Sequence, residues 1–382
     1  MNTTLSPFLK QRFQALQYEL IPLVAADLDG ISSKLERIIR VLEWSDIESL
    51  VYQYQGCAVG RPPADRCALA CAFIAKAELG IVTTRGLIER LEVDRRLRRI
   101  CGFNLYKKLP SEGTFSRVFA EFAARKLTTR VHEQMVKSNL ADTLIGHISR
   151  DATMIPAREG VEKIVLPPVV KPPAKKRGRP AFNSPKTLTT KILTAIQIQL
   201  TQTLPEMLRD LPTGCSVGTK TNSKGYSEST KGYKLHLDTA CCGVVISAYL
   251  TGAVVHDSRV ALPLSLMSEQ RVTACYELMD AGYCSTDIRE FVRSRGRVPL
   301  IDHNKRQGEK IEFCKAEAQR YKTRSSAERS NARLKDEFGG RVIYYRGHAK
   351  VMSHLMLGSS QKTESMVTPV FATPILTTSW LA

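Results

Sequence analysis

Residues 321–338 read YKTRSSAERSNARLKDEF, and this stretch predicts a helix with two distinct faces. At about 100° per residue, one face gathers a tyrosine, a carboxylate and two cations within an arc of roughly 60°: Tyr321, Arg324, Glu328 and Lys335. Beside it runs an apolar stripe that we expect to pack on a core: Ala327, Leu334 and Phe338. A solvated charged face is the alternative interpretation. The choice depends on whether other segments supply partners for Glu328.

Two aspartates are candidates for that partnership. HISRDATMI (147–155) places Asp151 in a run of β-prone and apolar residues, and YELMDAGYCS (276–285) places Asp280 at the end of another. After Asp280 we predict a helix capped by Ser285 and then a buried strand, VPLI (298–301). A lone aspartate at a strand end more often forms a turn. The order strand, carboxylate, turn, helix, strand is nevertheless typical of α/β folds that carry catalytic groups at strand ends.

The spacing Y-x2-R-x3-E-x6-K, preceded by DAT (151–153) and DAGY (280–283), resembles the motif of bacterial insertion-sequence transposases of the DDE class. The resemblance implies an α/β fold with an RNase H-like mixed-sheet catalytic core. In that core Asp151, Asp280 and Glu328 would be the catalytic carboxylates. It also implies a separate, all-helical N-terminal domain that binds DNA.

Other stretches extend the resemblance. Residues 231–264 look like the central hairpin of this family, with predicted strands at 233–239 and 244–251 and a turn at Gly243. The HDS sequence that begins at His256 also resembles a family feature. A polar loop explains it equally well, so we give His256 no catalytic role. Upstream, two helical stretches are similar to the N-terminal domain of the family: residues 60–80 and 109–122.

We expect residues 10–145 to be almost wholly helical, within an N-terminal domain predicted at 1–145. Thr83 or Thr84 can cap one helix and Asp94 a second, very basic one, with Gly102 as its terminator. This pair could form a helix-turn-helix-like reader of DNA ends. A helical bundle with an exposed basic face is an equally good interpretation, and the sequence leaves both open.

The predicted catalytic domain, residues 146–358, is interrupted by a basic insert rich in proline and lysine at 156–230. Within the insert is a run that resembles an AT-hook core, which would lie in an A·T-rich minor groove: Lys175, Lys176, Arg177, Gly178 and Arg179. An ordinary basic linker is the alternative. After residue 358 the chain becomes rich in Ser, Thr and Pro, so we predict an atypical tail at 359–382. A frame change or truncation near residue 358 would explain the tail.

Composition agrees with a nucleic-acid partner. The 382 residues carry a formal net charge of +19, and a polyanion is the usual counterpart of such an excess. The sequence has neither an 18-residue apolar run nor a signal peptide, so we predict no membrane association. The ten cysteines are scattered without CxxC pairs, which favours reduced thiols. The expected location is the bacterial cytoplasm, in association with the nucleoid.

The resemblance implies two-metal phosphoryl transfer: cleavage at insertion-sequence ends, then joining of each 3′-hydroxyl to target DNA. Two Mg²⁺ ions, replaceable by Mn²⁺, would be held by Asp151, Asp280 and Glu328, because hard cations prefer carboxylate oxygens. Arg324 and Lys335 would contact phosphates, and Tyr321 a base or a phosphate. The expected assembly is a homodimer that synapses two double-stranded DNA ends. The alternatives are a disabled transposase remnant that only binds DNA and a helical interaction protein.

Overall fold

The computed structural model describes residues 32–52, 63–162, 193–221, 225–304 and 311–359. Some predictions lie outside these ranges: the helices expected before residue 32, the AT-hook-like run at 175–179 and the tail beyond residue 359. In the described ranges, no helix is both long and apolar enough to cross a bilayer.

Helices make up the first part of the described chain: α1 Ser33–Ser45, α2 Ile47–Leu50, α3 Arg66–Glu78, α4 Thr84–Val93, α5 Arg95–Ile100, α6 Glu112–Ala124 and α7 Leu127–Leu140. Two of them begin at the predicted caps: Thr83 accepts a hydrogen bond from the Gly86 amide, and Asp94 accepts one from the Leu97 amide. Gly102 follows α5 with φ +86°, a left-handed conformation that glycine adopts without strain. The predicted capping residues therefore set these helix boundaries.

Aromatic packing joins these helices into one core. Phe73 on α3 lies between three rings of α6, with centroid distances of 5.9, 4.7 and 6.4 Å: Phe115, Phe119 and Phe122. All four side chains are buried. Burial of a phenylalanine side chain contributes about 1.5–3 kcal/mol, so this cluster accounts for much of the stability of the helical region.

A six-stranded mixed sheet follows: β1 Ile145–Pro156, β2 Ser216–Thr221, β3 Ser227–Ala240, β4 Val245–Gly252, β5 Ala274–Met279 and β6 Val298–Ile301. β1 is central, antiparallel to β3 and parallel to β5, which is itself parallel to β6. On its other edge β3 pairs antiparallel with β2 along its first half and with β4 along its second. This sheet, together with the helices before it, confirms the predicted α/β class. The β3–β4 hairpin turns at Gly243 as predicted, with φ +87°.

The remaining helices cover the sheet: α8 Ala195–Gln199, α9 Leu204–Arg209, α10 Ala261–Glu269, α11 Thr286–Ser294, α12 Lys315–Tyr321, α13 Ser325–Asp336 and α14 from residue 348 to residue 359. The predicted order after Asp280 is confirmed, because α11 begins after Ser285 and β6 covers 298–301. The apolar face of α11 buries Ile288 and Val292 beside the sheet.

One element differs from the prediction in its interior. The sequence predicts a single helix through 321–338, but a 3₁₀ turn at Lys322–Arg324 separates α12 from α13. Thr323 donates a side-chain hydrogen bond of 2.7 Å to the Arg320 carbonyl, and its own carbonyl faces Ser149 on β1. The 3₁₀ turn thus coincides with the point at which the helical segment contacts β1. Beyond the turn, the apolar stripe is confirmed, since Ala327, Leu334 and Phe338 are all buried.

The chain after α13 returns to the helical region. The Tyr345 ring stacks on Phe119 with a centroid distance of 4.4 Å, and Leu357 on α14 packs in the same core. The N-terminal helices and the last described helix thus share buried apolar surface.

Candidate active site

The parallel pairing of β1 and β5 brings the two aspartates to one place. Ser149 pairs with Leu278, and the same register puts Asp151 level with Asp280. β5 ends at Met279, whereas β1 continues alongside β3 to Pro156. Asp280 therefore begins the turn after β5, beside an aspartate that is still held in a strand.

Helix α13 crosses β1 and β3 closely because small side chains line its contact face. The hydroxyls of Ser326 and Ser149 lie 3.3 Å apart, and Ser330 donates a 3.3 Å hydrogen bond to the Gly243 carbonyl. Ser326, Ala327 and Ser330 are all buried at this crossing. The polar face of the helix consequently lies over Asp151.

Arg324 links two of the predicted carboxylates. Its Nη1 lies 3.5 Å from Asp151 Oδ1, and its Nη2 donates a 2.5 Å hydrogen bond to Glu328 Oε1. The Arg324 side chain is 19% exposed and that of Glu328 56% exposed. The third predicted carboxylate is thus at the surface of the site, with its charge offset by a partly buried guanidinium.

Burial makes the ionised forms of Asp151 and Asp280 less favourable in the folded protein. Burial raises the pKa of Asp151, Arg324 lowers it, and the neighbouring charge of Asp280 raises it again. Burial also raises the pKa of Asp280, whereas a 2.9 Å hydrogen bond from the Gly282 amide favours its ionised form. Two partly buried carboxylates that repel each other form a donor set that a hard divalent cation would stabilise.

The three predicted ligands are not clustered. Within the described ranges, no three His, Cys, Asp or Glu side chains stand close enough together to hold a metal ion. The charge of Arg324 acts on both Asp151 and Asp280, but the Glu328 carboxylate is bound to that arginine. The donor chemistry fits a divalent cation, provided that Glu328 exchanges Arg324 for it. The ligand assignment stays a prediction.

Asn331 is a site residue that the sequence interpretation missed. It lies one turn beyond Glu328, and its Nδ2 donates a 2.8 Å hydrogen bond to Asp151 Oδ2. Its spacing of seven residues from Arg324 was the available signal, because i and i+7 share a helix face.

Tyr321 anchors the helix end to the sheet. Its hydroxyl donates a 3.1 Å hydrogen bond to the carbonyl of Met279, the residue before Asp280. Its ring packs against Phe313 at 4.9 Å, and burial raises the pKa of Tyr321 to about 12. A DNA contact by Tyr321 stays a prediction, and its hydroxyl already has a structural partner.

Cations border the two aspartates on the solvent side. Lys335 is half-buried, and burial lowers its pKa, as do its basic neighbours Arg341 and Lys220. Lys220, exposed on β2, also acts electrostatically on Asp280. The predicted phosphate contact Lys335 therefore lies in a cationic rim, to which β2 adds a lysine that the sequence interpretation did not single out.

Beneath the site lies a buried ionic network. Arg150, adjacent to Asp151, donates two 2.8 Å hydrogen bonds to Asp238 and lies 3.2 Å from Glu277. Glu277 also pairs with Arg297 at 2.5 Å. All four of these charged side chains are at most 5% exposed. The network joins β1, β3 and β5. Two of its members lie close to the aspartates in sequence, since Arg150 directly precedes Asp151 and Glu277 lies three residues before Asp280.

The remaining residues that the sequence interpretation considered for DNA binding or catalysis lie elsewhere in the chain. The basic run Lys175, Lys176, Arg177 and Arg179 lies outside the described residues. Helices α4 and α5 are present as predicted, and the choice between a DNA reader and a bundle face stays open. His256 caps the 3₁₀ turn Asp257–Val260, where its Nδ1 accepts from the Ser258 amide at 3.3 Å.

Comparisons with known families give two matches. A family model described as a transposase DDE domain matches residues 197–359. A second, described as a transposase domain (DUF772), matches residues 26–121. A search of curated proteins finds no match to this chain. The first match covers Asp280 and Glu328 and begins after Asp151, within the predicted insert at 156–230. An RNase H-like fold for the sheet region follows from the DDE domain.

Proposed function

Since the chain carries a transposase DDE domain preceded by an N-terminal transposase domain, it belongs to the insertion-sequence DDE transposases, and we propose that it cuts at the ends of an insertion sequence and joins the 3′-hydroxyls to target DNA. The observation that carries the proposal is the meeting of Asp151 and Asp280 under Arg324 and Glu328. These residues come from distant parts of the chain, and a merely structural polar face would not need to gather them.

In this proposal the carboxylates bind Mg²⁺, for which Mn²⁺ would substitute. A pair of such ions activates the attacking oxygen and stabilises the leaving oxygen in phosphoryl transfer. Asp151 and Asp280 are held ready by the Asn331 and Gly282 hydrogen bonds. Glu328 completes the set when its carboxylate leaves Arg324. The Nη2 of Arg324 that Glu328 releases is then available for a phosphate near the scissile bond.

The cationic rim would hold the DNA backbone. Arg324 offers a planar fork, whereas Lys335 and Lys220 act as point charges beside the aspartates. The excess of positive charge in the whole chain favours association with DNA at low salt. We further propose that a homodimer holds two element ends together and that the protein works in the cytoplasm, in association with the nucleoid.

The decisive experiment is a nicking and strand-transfer assay on DNA that carries the element's own ends, with Mg²⁺ or with EDTA. Wild type is compared with Glu328→Gln and with the matched control Glu337→Gln. Glu337 lies just beyond the same helix, where it pairs with Arg333 at the surface. We expect metal-dependent 3′-hydroxyl ends from wild type and from the control.

Glu328→Gln should cleave at least about a hundredfold more slowly, since even about 3 kcal/mol of lost transition-state stabilisation has that effect. DNA binding by the variant, followed by gel shift, should remain. Cleavage by Glu328→Gln at the wild-type rate would refute the assignment of this carboxylate. Binding without any cleavage by folded wild-type protein would identify a disabled remnant instead.

A further inference from the structure

A fourth carboxylate, Asp257, lies near Asp280 of the candidate site and acts electrostatically on it. It begins the 3₁₀ turn after β4, and its side chain is 29% exposed. Lys234 on β3 donates a 2.9 Å hydrogen bond to Asp257 Oδ1 and a 2.7 Å hydrogen bond to the Val255 carbonyl. The lysine thus fixes one oxygen of Asp257 and the loop that carries it.

The other oxygen of Asp257 and the carboxylate of Asp280 both adjoin Gly282. A Cβ built on Gly282 would lie 3.0 Å from Asp280 Oδ1 and 4.0 Å from Asp257 Oδ2. Gly282 is not among the residues with positive φ, so its backbone conformation does not require glycine. The missing side chain matters because it leaves space between the two carboxylates.

Buried polar atoms around Asp257 lack partners. His236 is fully buried, and its Nδ1 lies 4.0 Å from Asp257 Oδ1 without a hydrogen bond in the described part of the chain. Its Nε2 bonds Thr251 Oγ1, which itself donates to the Gly252 carbonyl. Thr251 therefore accepts from Nε2–H, and Nδ1 remains an acceptor that faces a carboxylate.

The hydroxyl of Tyr283 is a second, independent indication of a binding site. Tyr283 is 1% exposed, and its hydroxyl has no hydrogen-bond partner among the described residues. Burial raises the pKa of Tyr283, the charges of Asp257, Asp280 and Asp151 raise it further, and the charge of Arg150 lowers it. Buried polar groups are almost always satisfied, so this concentration of unsatisfied atoms around carboxylates indicates a site for a ligand that carries donors or positive charge.

We propose that Asp257 is a fourth acidic residue of the active site, which binds the divalent cation on the Asp280 side, across the space that Gly282 leaves open. The inference rests on the proposed function and adds a residue to it. A hydrated divalent cation supplies both positive charge and donors, which the carboxylates, the His236 acceptor and the Tyr283 hydroxyl can share. Lys234 holds Asp257 in position for this task.

The test measures binding of Mn²⁺ alone to the full chain without DNA, from the loss of the free-ion signal in electron paramagnetic resonance. Asp257→Asn should raise the Kd for Mn²⁺ by about tenfold or more. Asp142→Asn is the matched control, because Asp142 is exposed at the end of α7 and should leave the Kd unchanged. An unchanged Kd in Asp257→Asn would overturn the proposal.

A second variant tests the same site without changing the ion pair between Lys234 and Asp257. Gly282→Ala removes no charge but places a methyl group between Asp280 and Asp257, so it should also weaken Mn²⁺ binding. Gly113→Ala is its control, since a Cβ there meets no atom within 4 Å. Wild-type affinity in Gly282→Ala would contradict the shared site.

The outcomes distinguish failure of the proposed function from failure of the role of Asp257. If wild type neither binds Mn²⁺ nor nicks DNA, both the proposed function and the role of Asp257 fail. If wild type does both, and Asp257→Asn binds Mn²⁺ and nicks equally well, only the role of Asp257 fails. Weakened Mn²⁺ binding in Asp257→Asn and Gly282→Ala, with both controls normal, supports it.

Discussion

Asn331 donates a 2.8 Å hydrogen bond to Asp151, 180 residues earlier in the chain. The helix that carries Glu328 therefore also orients the first aspartate of the site. The bond favours the ionised form of a carboxylate whose pKa is raised by burial. The bond therefore joins α13 directly to the Asp151 carboxylate on β1.

Replacing Asn331 by alanine should slow DNA nicking by about 10- to 100-fold, because a hydrogen bond to a charged group contributes about 1.5–3 kcal/mol. Single-turnover nicking rates measure the effect, and DNA affinity should change little. Asn139→Ala is the control, since the Asn139 side chain donates to the Met135 carbonyl of its own helix. Equal rates in wild type and Asn331→Ala would mean that this bond plays no part in catalysis.

Arg324→Lys should lower the nicking rate by about tenfold or more although it keeps the charge. The guanidinium reaches Asp151 with one nitrogen and Glu328 with another, and an ammonium offers only a single point of contact. Affinity for DNA, measured over a range of salt concentrations, should stay close to that of wild type. The control Arg333→Lys alters a surface pair on the same helix. A normal rate in Arg324→Lys would show that charge alone suffices.

Arg150→Met should destabilise the fold by about 3–5 kcal/mol, because it leaves Asp238 buried without its ion-pair partner and leaves Glu277 with Arg297 alone. Chemical denaturation followed by circular dichroism measures the loss. Arg295→Met is the matched control, since Arg295 pairs with Glu269 at the surface, where such a pair contributes at most about 1 kcal/mol. Similar losses in the two variants would contradict the importance of the buried network.

His132 should make the fold sensitive to acid. Burial, with the nearby charge of Arg271, lowers the pKa of His132 from 6.5 to about 3. Between these values the unfolded chain binds a proton that the folded chain does not, so stability falls as the pH drops below 6.5. The loss is about 1.4 kcal/mol per pH unit.

Substitution of His132 by leucine should remove this contribution. The free energy of unfolding, measured by denaturation at pH 4.5, 5.5 and 6.5, should then vary less steeply than in wild type. The remaining slope comes from other buried histidines, such as His236 and His354, whose pKa values are also lowered by burial. An identical slope in wild type and variant would mean that His132 is charged in the folded protein.

The sequence by itself determined the elements whose signals are local. Caps such as Thr83 and Asp94 begin helices, because a side-chain oxygen satisfies an amide three residues ahead. Gly243 turns the central hairpin, because its φ of +87° is strained for other residues. The spacing of Arg324 and Glu328 put them on one helix face, and the order of strands and carboxylates pointed to the α/β class.

Only the tertiary structure decided what these residues touch. The 3₁₀ turn before Ser325 lies against Ser149 of β1, and Asn331 becomes a site residue because Asp151 lies beneath it. The burial of Arg150 among acidic partners likewise depends on strands that are far apart in the chain. Helix periodicity and capping act over a few residues, whereas each of these contacts joins segments that only the folded sheet brings together.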